Sequence, residues 1–188
     1  MARIGVLALQ GDFEKHQQAI EVLGHDAVLV KTAEALSQCD RLIIPGGEST
    51  TMLKLIDRMN LRNILADYVQ RHPVFGTCAG IILLAREANA LPASPFAMLD
   101  IRVERNAYGR QIDSFIDTVP WEAPEGQREL EAVFIRAPRI LETGPSVRVL
   151  AQHGNDPVLV QQKHTLGATF HPELTDDRQL HRYFIEMV

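Results

Sequence analysis

The sequence predicts a single-domain α/β fold, a three-layer sandwich whose mostly parallel central sheet carries added antiparallel strands. Short apolar runs of β character alternate with helical patterns through the first half of the chain. Such alternation implies right-handed crossovers and a parallel sheet covered on both faces. Beyond about residue 88 the pattern changes to strands and turns, which reads as antiparallel strands added to the same sheet. The 188 residues suffice for one full domain with a substantial core and are too few for two ordinary ones, so one domain over 1–188 is expected.

The elements follow in order. Residues 4–9 are a strand, and 13–23 a helix that Asp12 can cap and Gly24 can close as its C′ residue. Residues 27–30 and 42–44 are apolar strands. Residues 50–71 hold two helices, because Asn60 interrupts the periodicity. Residues 74–75 form a strand that runs into a helix over 81–86. Later strands are expected at 100–104, 114–119, 132–135, 147–152, 158–162 and 168–170, with a closing helix over 176–187. Pro92, Pro95, Pro120, Pro124 and Pro145 are placed at the joints, where a missing N–H does little harm, and 90–98 reads as a variable loop.

Composition excludes several classes. A net charge of −5 without a block of Lys or Arg argues against nucleic acid or an anionic membrane as the main partner. No apolar run approaches the ~20 residues needed to span a bilayer. Met1-Ala2-Arg3 leads into a strand-like run without a cleavage-site pattern, so a cytoplasmic protein is expected. Cys39 and Cys78 lack paired zinc spacing, and a reducing compartment disfavours a disulfide between them.

Chemistry is concentrated at strand ends. Gly76-Thr77-Cys78-Ala79-Gly80 has the pattern of a nucleophile elbow with cysteine in place of serine. Small residues two before and two after the nucleophile let a strand turn sharply into a helix, whose N-terminus favours thiolate over thiol. A cysteine nucleophile needs a base, and the base needs an orienting acceptor. His171 and Glu173, two apart on an expected extended segment with Pro172 between them, meet that need. The remaining six histidines, including His16 and His181, read as surface or packing residues.

Pro45-Gly46-Gly47-Glu48-Ser49-Thr50-Thr51 follows a strand and precedes a helix. Its double glycine allows a backbone N–H to face an anion, and its lack of lysine excludes a phosphate-binding P-loop. The plainer alternative is a strand-to-helix turn capped by Ser49 or Thr50. If the loop lies beside Cys78, the N–H groups of Gly47 and Ala79 form an oxyanion hole. Two polar stretches, from Arg105 to Gln111 and from Phe134 to Pro138, could supply a guanidinium or backbone groups to a small zwitterionic substrate, or could be surface ion pairs.

Pro-Gly-Gly-Glu-Ser-Thr-Thr, Gly-Thr-Cys-Ala-Gly and His-Pro-Glu, in that order, resemble the triad-type (class I) glutamine amidotransferases, whose fold is flavodoxin-like. Leu9-Gln10-Gly11-Asp12, Glu104-Arg105-Asn106, Phe134-Ile135-Arg136-Ala137-Pro138 and Phe170-His171-Pro172-Glu173-Leu174-Thr175 narrow the resemblance to the glutaminase subunits of pyridoxal phosphate synthases. It runs from about residue 4 to the last residue. It implies Cys78 as nucleophile, His171 as base and Glu173 as orienting carboxylate. It makes Gly46, Gly47, Glu48, Arg105, Ile135 and Arg136 the glutamine-binding positions, and puts Gln10 near the ammonia exit. The implied reaction is hydrolysis of L-glutamine to glutamate and ammonia, with no metal or organic cofactor. Ammonia then passes to a barrel-shaped synthase subunit in a hetero-oligomer making vitamin B6.

Three rival readings accompany it. One is the glutaminase of another amidotransferase, such as that for imidazole glycerol phosphate. Another is a Cys-dependent esterase or peptidase on an α/β-hydrolase scaffold, which chain order opposes because the histidine here precedes the acid. The last is a non-catalytic relic, opposed by three competent triad residues.

Overall fold

The computed structural model describes residues 1–105 and 114–187. The elements are β1 (Arg3–Leu7), α1 (Phe13–Val22), β2 (Asp26–Val30), α2 (Ala33–Ser37), β3 (Arg41–Ile44), α3 (Ser49–Arg58), α4 (Arg62–Val69) and β4 (Val74–Thr77). There follow α5 (Ala79–Leu84), β5 (Ala85–Ala88), β6 (Leu99–Glu104), β7 (Phe115–Ala123), β8 (Gly126–Phe134) and β9 (Arg139–Thr143). The chain continues through β10 (Arg148–His153), β11 (Asp156–Gln162), β12 (Thr165–Ala168), a 3-10 turn (Pro172–Leu174) and α6 (Gln179–Glu186).

Nine strands form the main sheet in the order β2-β1-β3-β4-β12-β11-β10-β7-β8. The first five are mutually parallel and the last four are antiparallel additions. The parallel part has the order of a flavodoxin-like sheet, in which binding sites lie at the carboxyl ends of the strands, where the winding reverses. Pleating sends neighbouring residues to opposite faces. Leu42 and Ile44 of β3 join the core under α3, α4 and α5, while Ile43 joins the core under α1 and α6.

The expected fold class holds, with a correction to the sheet. β5, β6 and β9 form a separate three-stranded sheet and do not extend the main one. The cause lies in α5, which ends after Leu84 because Ala85 turns extended (ψ 156°). The chain is thereby kept on the α3 face, where Leu99, Ile101, Val103 and Ile140 pack with Leu83 and Leu84. The helix expected over 81–86 therefore gives way to strand at residue 85. The short α2 and β9 were not expected at all.

Asn60 separates α3 from α4 as expected and takes a left-handed φ of 56°. Gly24 closes α1 at φ 80°. Asp12 occupies the N-cap of α1 but its side chain makes no capping hydrogen bond. Pro120 is not at a joint: it lies within β7 opposite Glu129. β7 has one registered pair with β10, Ala151 to Trp121, so a residue without an N–H is tolerated there. No helix among the described residues is long and apolar enough to cross a membrane.

Candidate active site

The carboxyl ends of β1, β3, β4 and β12 converge on a cavity of about 870 Å³, within the range of small-molecule sites. Cys78 stands between β4 and α5 with φ 48° and ψ −102°, the strained turn expected of an elbow. The small neighbours are sterically required: a Cβ on Gly76 would come 2.6 Å from the carbonyl carbon of Gly80, and one on Gly80 2.0 Å from the backbone oxygen of Ile44. Cys78 is buried with 7% of its surface exposed, and its Sγ lies 4.0 Å from the Ile135 carbonyl oxygen.

His171 hydrogen-bonds Glu173 Oε1 through Nδ1 at 2.7 Å, and its ring lines the same cavity as Cys78, the two flanking Gly46. The route to this pairing differs from the expected one. β12 ends at Ala168, and Pro172 starts a 3-10 turn, so a turn and not strand alternation brings the two side chains together. The His171 N–H donates to the Val133 carbonyl at 2.8 Å, tying this turn to the end of β8.

Burial alone would lower the His171 pKa, but interaction with the Cys78 thiol and the Glu173 carboxylate outweighs it and holds the pKa well above 6.5. Burial would raise Glu173, yet the His16 and His171 rings beside it push its pKa down to about 2. A carboxylate depressed in the folded state stabilises the fold above its unfolded value of 4.5, and that stability is lost as pH falls toward about 2. Glu173→Gln is therefore expected to flatten the acid side of the stability curve between those pH values, as read by thermal melts.

The glycine loop closes over the pair. A Cβ on Gly46 would lie 2.3 Å from His171 Cε1 and 3.4 Å from Cys78 Cβ, so only glycine passes there. The Gly46 oxygen abuts Gly11, where a Cβ would come within 1.7 Å of it. In a trans peptide the Gly47 N–H points the opposite way. Gln10 Oε1 accepts from the Glu48 N–H at 2.7 Å.

Glu48, and not Ser49 or Thr50, caps α3, accepting from the N–H groups of Thr50 and Thr51 at 3.0 and 2.7 Å. Burial would raise its pKa, but these bonds and the Thr51 hydroxyl bring it down to about 2. Arg105 Nη2 donates to Glu48 Oε1 at 3.1 Å and Thr50 Oγ1 at 2.9 Å. Its backbone N–H donates to Asn89 Oδ1 at 2.8 Å, and Nη1 reaches the Ala90 carbonyl. The start of the stretch read as a variable loop thus holds Arg105 in place.

Gln10, Gly47, Glu48, Cys78, Ala79, Arg105, Ile135, Arg136 and His171 all line the cavity. Gly46 sits against the His171 ring, and Glu173 lies behind it. Arg136 takes φ 44°, a bend in the segment after β8. Residues 106–111 of the polar stretch that begins at Arg105 lie outside the described residues.

Asp12 also reaches the site. Its carboxylate, His171 and Glu173 offer atoms within 4.8 Å of one another, close enough for a metal ion, although two of the three are already bonded to each other. Sequence reasoning missed His16 and His181 as well. Both are fully buried, and His16 Nε2 lies 3.3 Å from Glu173 Oε2. The available signal was His16's place on the apolar face of α1, beside Ala19 and Ile20.

A cysteine at a strand-to-helix elbow, paired with a histidine and a carboxylate at the end of a flavodoxin-like sheet, defines the class of triad-type glutamine amidotransferases. The chain belongs to the SNO glutamine amidotransferase family, which it matches over residues 6–188. It is 51% identical over 188 residues to the pyridoxal 5'-phosphate synthase subunit PdxT of Thermotoga neapolitana, covering 99% of each chain. It is 52% identical over 186 residues to the PdxT of Koribacter versatilis, covering 99% of this chain and 95% of that one. A solved glutamine amidotransferase superposes with a TM-score of 0.90 at 46% identity, covering 97% of both chains. PurLQS from Thermotoga maritima, at TM-score 0.72 and 14% identity over 98% of both chains, shares the fold alone.

Proposed function

We propose that this chain, acting as one glutaminase domain, hydrolyses L-glutamine and delivers the ammonia to the synthase subunit of a pyridoxal 5'-phosphate synthase. The observation that carries the chemistry is the meeting of Cys78 at its elbow with a buried His171 that is hydrogen-bonded to Glu173 at 2.7 Å, the ring and the thiol lining one cavity. Near-full-length identity of about half to relatives bearing the PdxT name supports the pathway over other amidotransferases.

In this reading the Cys78 thiolate attacks the side-chain carboxamide carbon, and the oxygen that becomes negative is held by the N–H groups of Gly47 and Ala79. The His171 imidazolium, stabilised by Glu173, gives its proton to the departing ammonia as the C–N bond breaks. Water then attacks the γ-glutamyl thioester, His171 takes its proton, and glutamate leaves with the thiolate restored. Gly46, Gly47, Glu48, Arg105, Ile135 and Arg136 hold the glutamine, its α-carboxylate suiting a guanidinium and its α-ammonium suiting carbonyl and carboxylate oxygens. Gln10, bonded to the back of the glycine loop, stands at the exit toward the synthase.

A glutamine analogue carrying a γ-diazoketone tests this, with the synthase subunit present. Mass spectrometry is expected to find one adduct, on Cys78. Burial pushes the Cys39 thiol up to about 11, which leaves it unreactive at neutral pH. Labelling of Cys39 alone, or of neither cysteine, would overturn the assignment of the nucleophile.

A further inference from the structure

Behind the triad lies a second buried polar cluster that the reaction above does not use. His16 on α1 and His181 on α6 are both 0% exposed, and His16 Nδ1 meets His181 Nε2 at 2.9 Å. His16 Nε2 faces the other way, 3.1 Å from the hydroxyl of Thr77, the residue before the nucleophile, and 3.3 Å from Glu173 Oε2. The aligned hydrogen bond is the one to Thr77. Neither Glu173 Oε2 nor His181 Nδ1 has an aligned partner among the described residues.

Two proton arrangements are available to neutral rings, and they are unequal. If His16 carried its proton on Nδ1, its Nε2 lone pair would face a buried carboxylate oxygen. His181 Nε2 would then be the acceptor, and the proton on His181 Nδ1 would be a buried donor without a partner. Orphaned buried N–H groups are rare and costly. If His16 instead carries its proton on Nε2, the N–H donates to Thr77 Oγ1, with Nε2 3.3 Å from Glu173 Oε2. His181 Nε2–H then donates to His16 Nδ1, and only a bare lone pair on His181 Nδ1 is left over. Burial, which lowers the pKa of both rings, agrees with their being neutral.

We propose that His16 is a positioning residue of the triad: a neutral Nε2–H donor, its tautomer fixed by His181, that steadies Glu173 Oε2 and Thr77. Through Glu173 it orients His171, and through Thr77 it braces the elbow, so α1 and α6 are coupled to the nucleophile. A neutral donor does this without cancelling the carboxylate charge that the His171 imidazolium needs. The kinetic consequence rests on the glutaminase reading above, whereas the tautomer does not.

Long-range ¹H–¹⁵N correlation spectra of the intact chain at neutral pH read the tautomers directly. The neutral Nε2–H pattern is expected for His16 and for His181, and an Nδ1–H pattern or an imidazolium at His16 would overturn the proposal. In ammonia-release assays with the synthase subunit, His16→Leu should lower kcat about 10- to 100-fold with KM within about twofold, as for lost orienting partners elsewhere. His16→Gln, whose amide can present an N–H near the place of Nε2, should recover most of that loss. Equal losses in two folded variants, or none in His16→Leu, would contradict it. Should His16→Leu not fold, the spectra of the native chain decide. Failure of the glutaminase reading looks different: the native chain releases no ammonia while the tautomer pattern stands.

Discussion

Cys78→Ala is expected to abolish ammonia release from glutamine, by about 10⁴-fold or more, while leaving the protein folded. Without the thiolate no acyl intermediate can form, and removing one member of a nucleophile–base unit costs nearly as much as removing the whole unit. The fold has little reason to respond. The substitution deletes one sulfur atom from a side chain whose positive φ is unfavourable for either residue. A loss of about 1 kcal/mol would move the melting temperature by roughly 2–4 °C in a chain of this size. His171 should respond locally, because the first group that raises its pKa against burial is Cys78, so in the variant its imidazole should titrate lower. Release near the native rate from folded Cys78→Ala would remove Cys78 from the mechanism.

Gly80→Ala is expected to have the largest effect on stability. The added Cβ would fall 2.0 Å from the backbone oxygen of Ile44. That oxygen belongs to β3, whose Ile44 is paired in register with Gly76 of β4, so it cannot withdraw without parting the two central strands. A backbone clash with no flexible side chain to give way belongs with the exceptional destabilisations, about 3–5 kcal/mol. Denaturant titration of the variant measures this. A midpoint within experimental error of the native one would show that the elbow is looser than its geometry indicates.

Much of the fold and site was legible because its signals are local. Alternating strands and helices marked the parallel sheet, and glycines flanking Cys78 marked the elbow for a steric reason that the contacts of Gly76 and Gly80 bear out. Other features depend on distant packing. Residues 85–88 and 139–143 became strands because a short helix ends at Leu84 and an apolar face beside it needs covering. His171 and Glu173 were paired correctly for the wrong reason: period-two alternation predicts the same neighbours as the 3-10 turn that Pro172 initiates. Glu48 displaced Ser49 as the cap because its carboxylate spans two N–H groups and meets Arg105 as well. The His16 and His181 rings meet across 165 residues of sequence, a contact no local pattern encodes.

The measurement that tests the central claim most directly is ammonia release from glutamine by the purified chain, with and without the synthase subunit of the same organism. Strong stimulation by the synthase is the predicted result, uniting the triad chemistry with the delivery of ammonia. Equal release in both conditions would contradict the proposed partnership, and no release in either would contradict the glutaminase assignment itself.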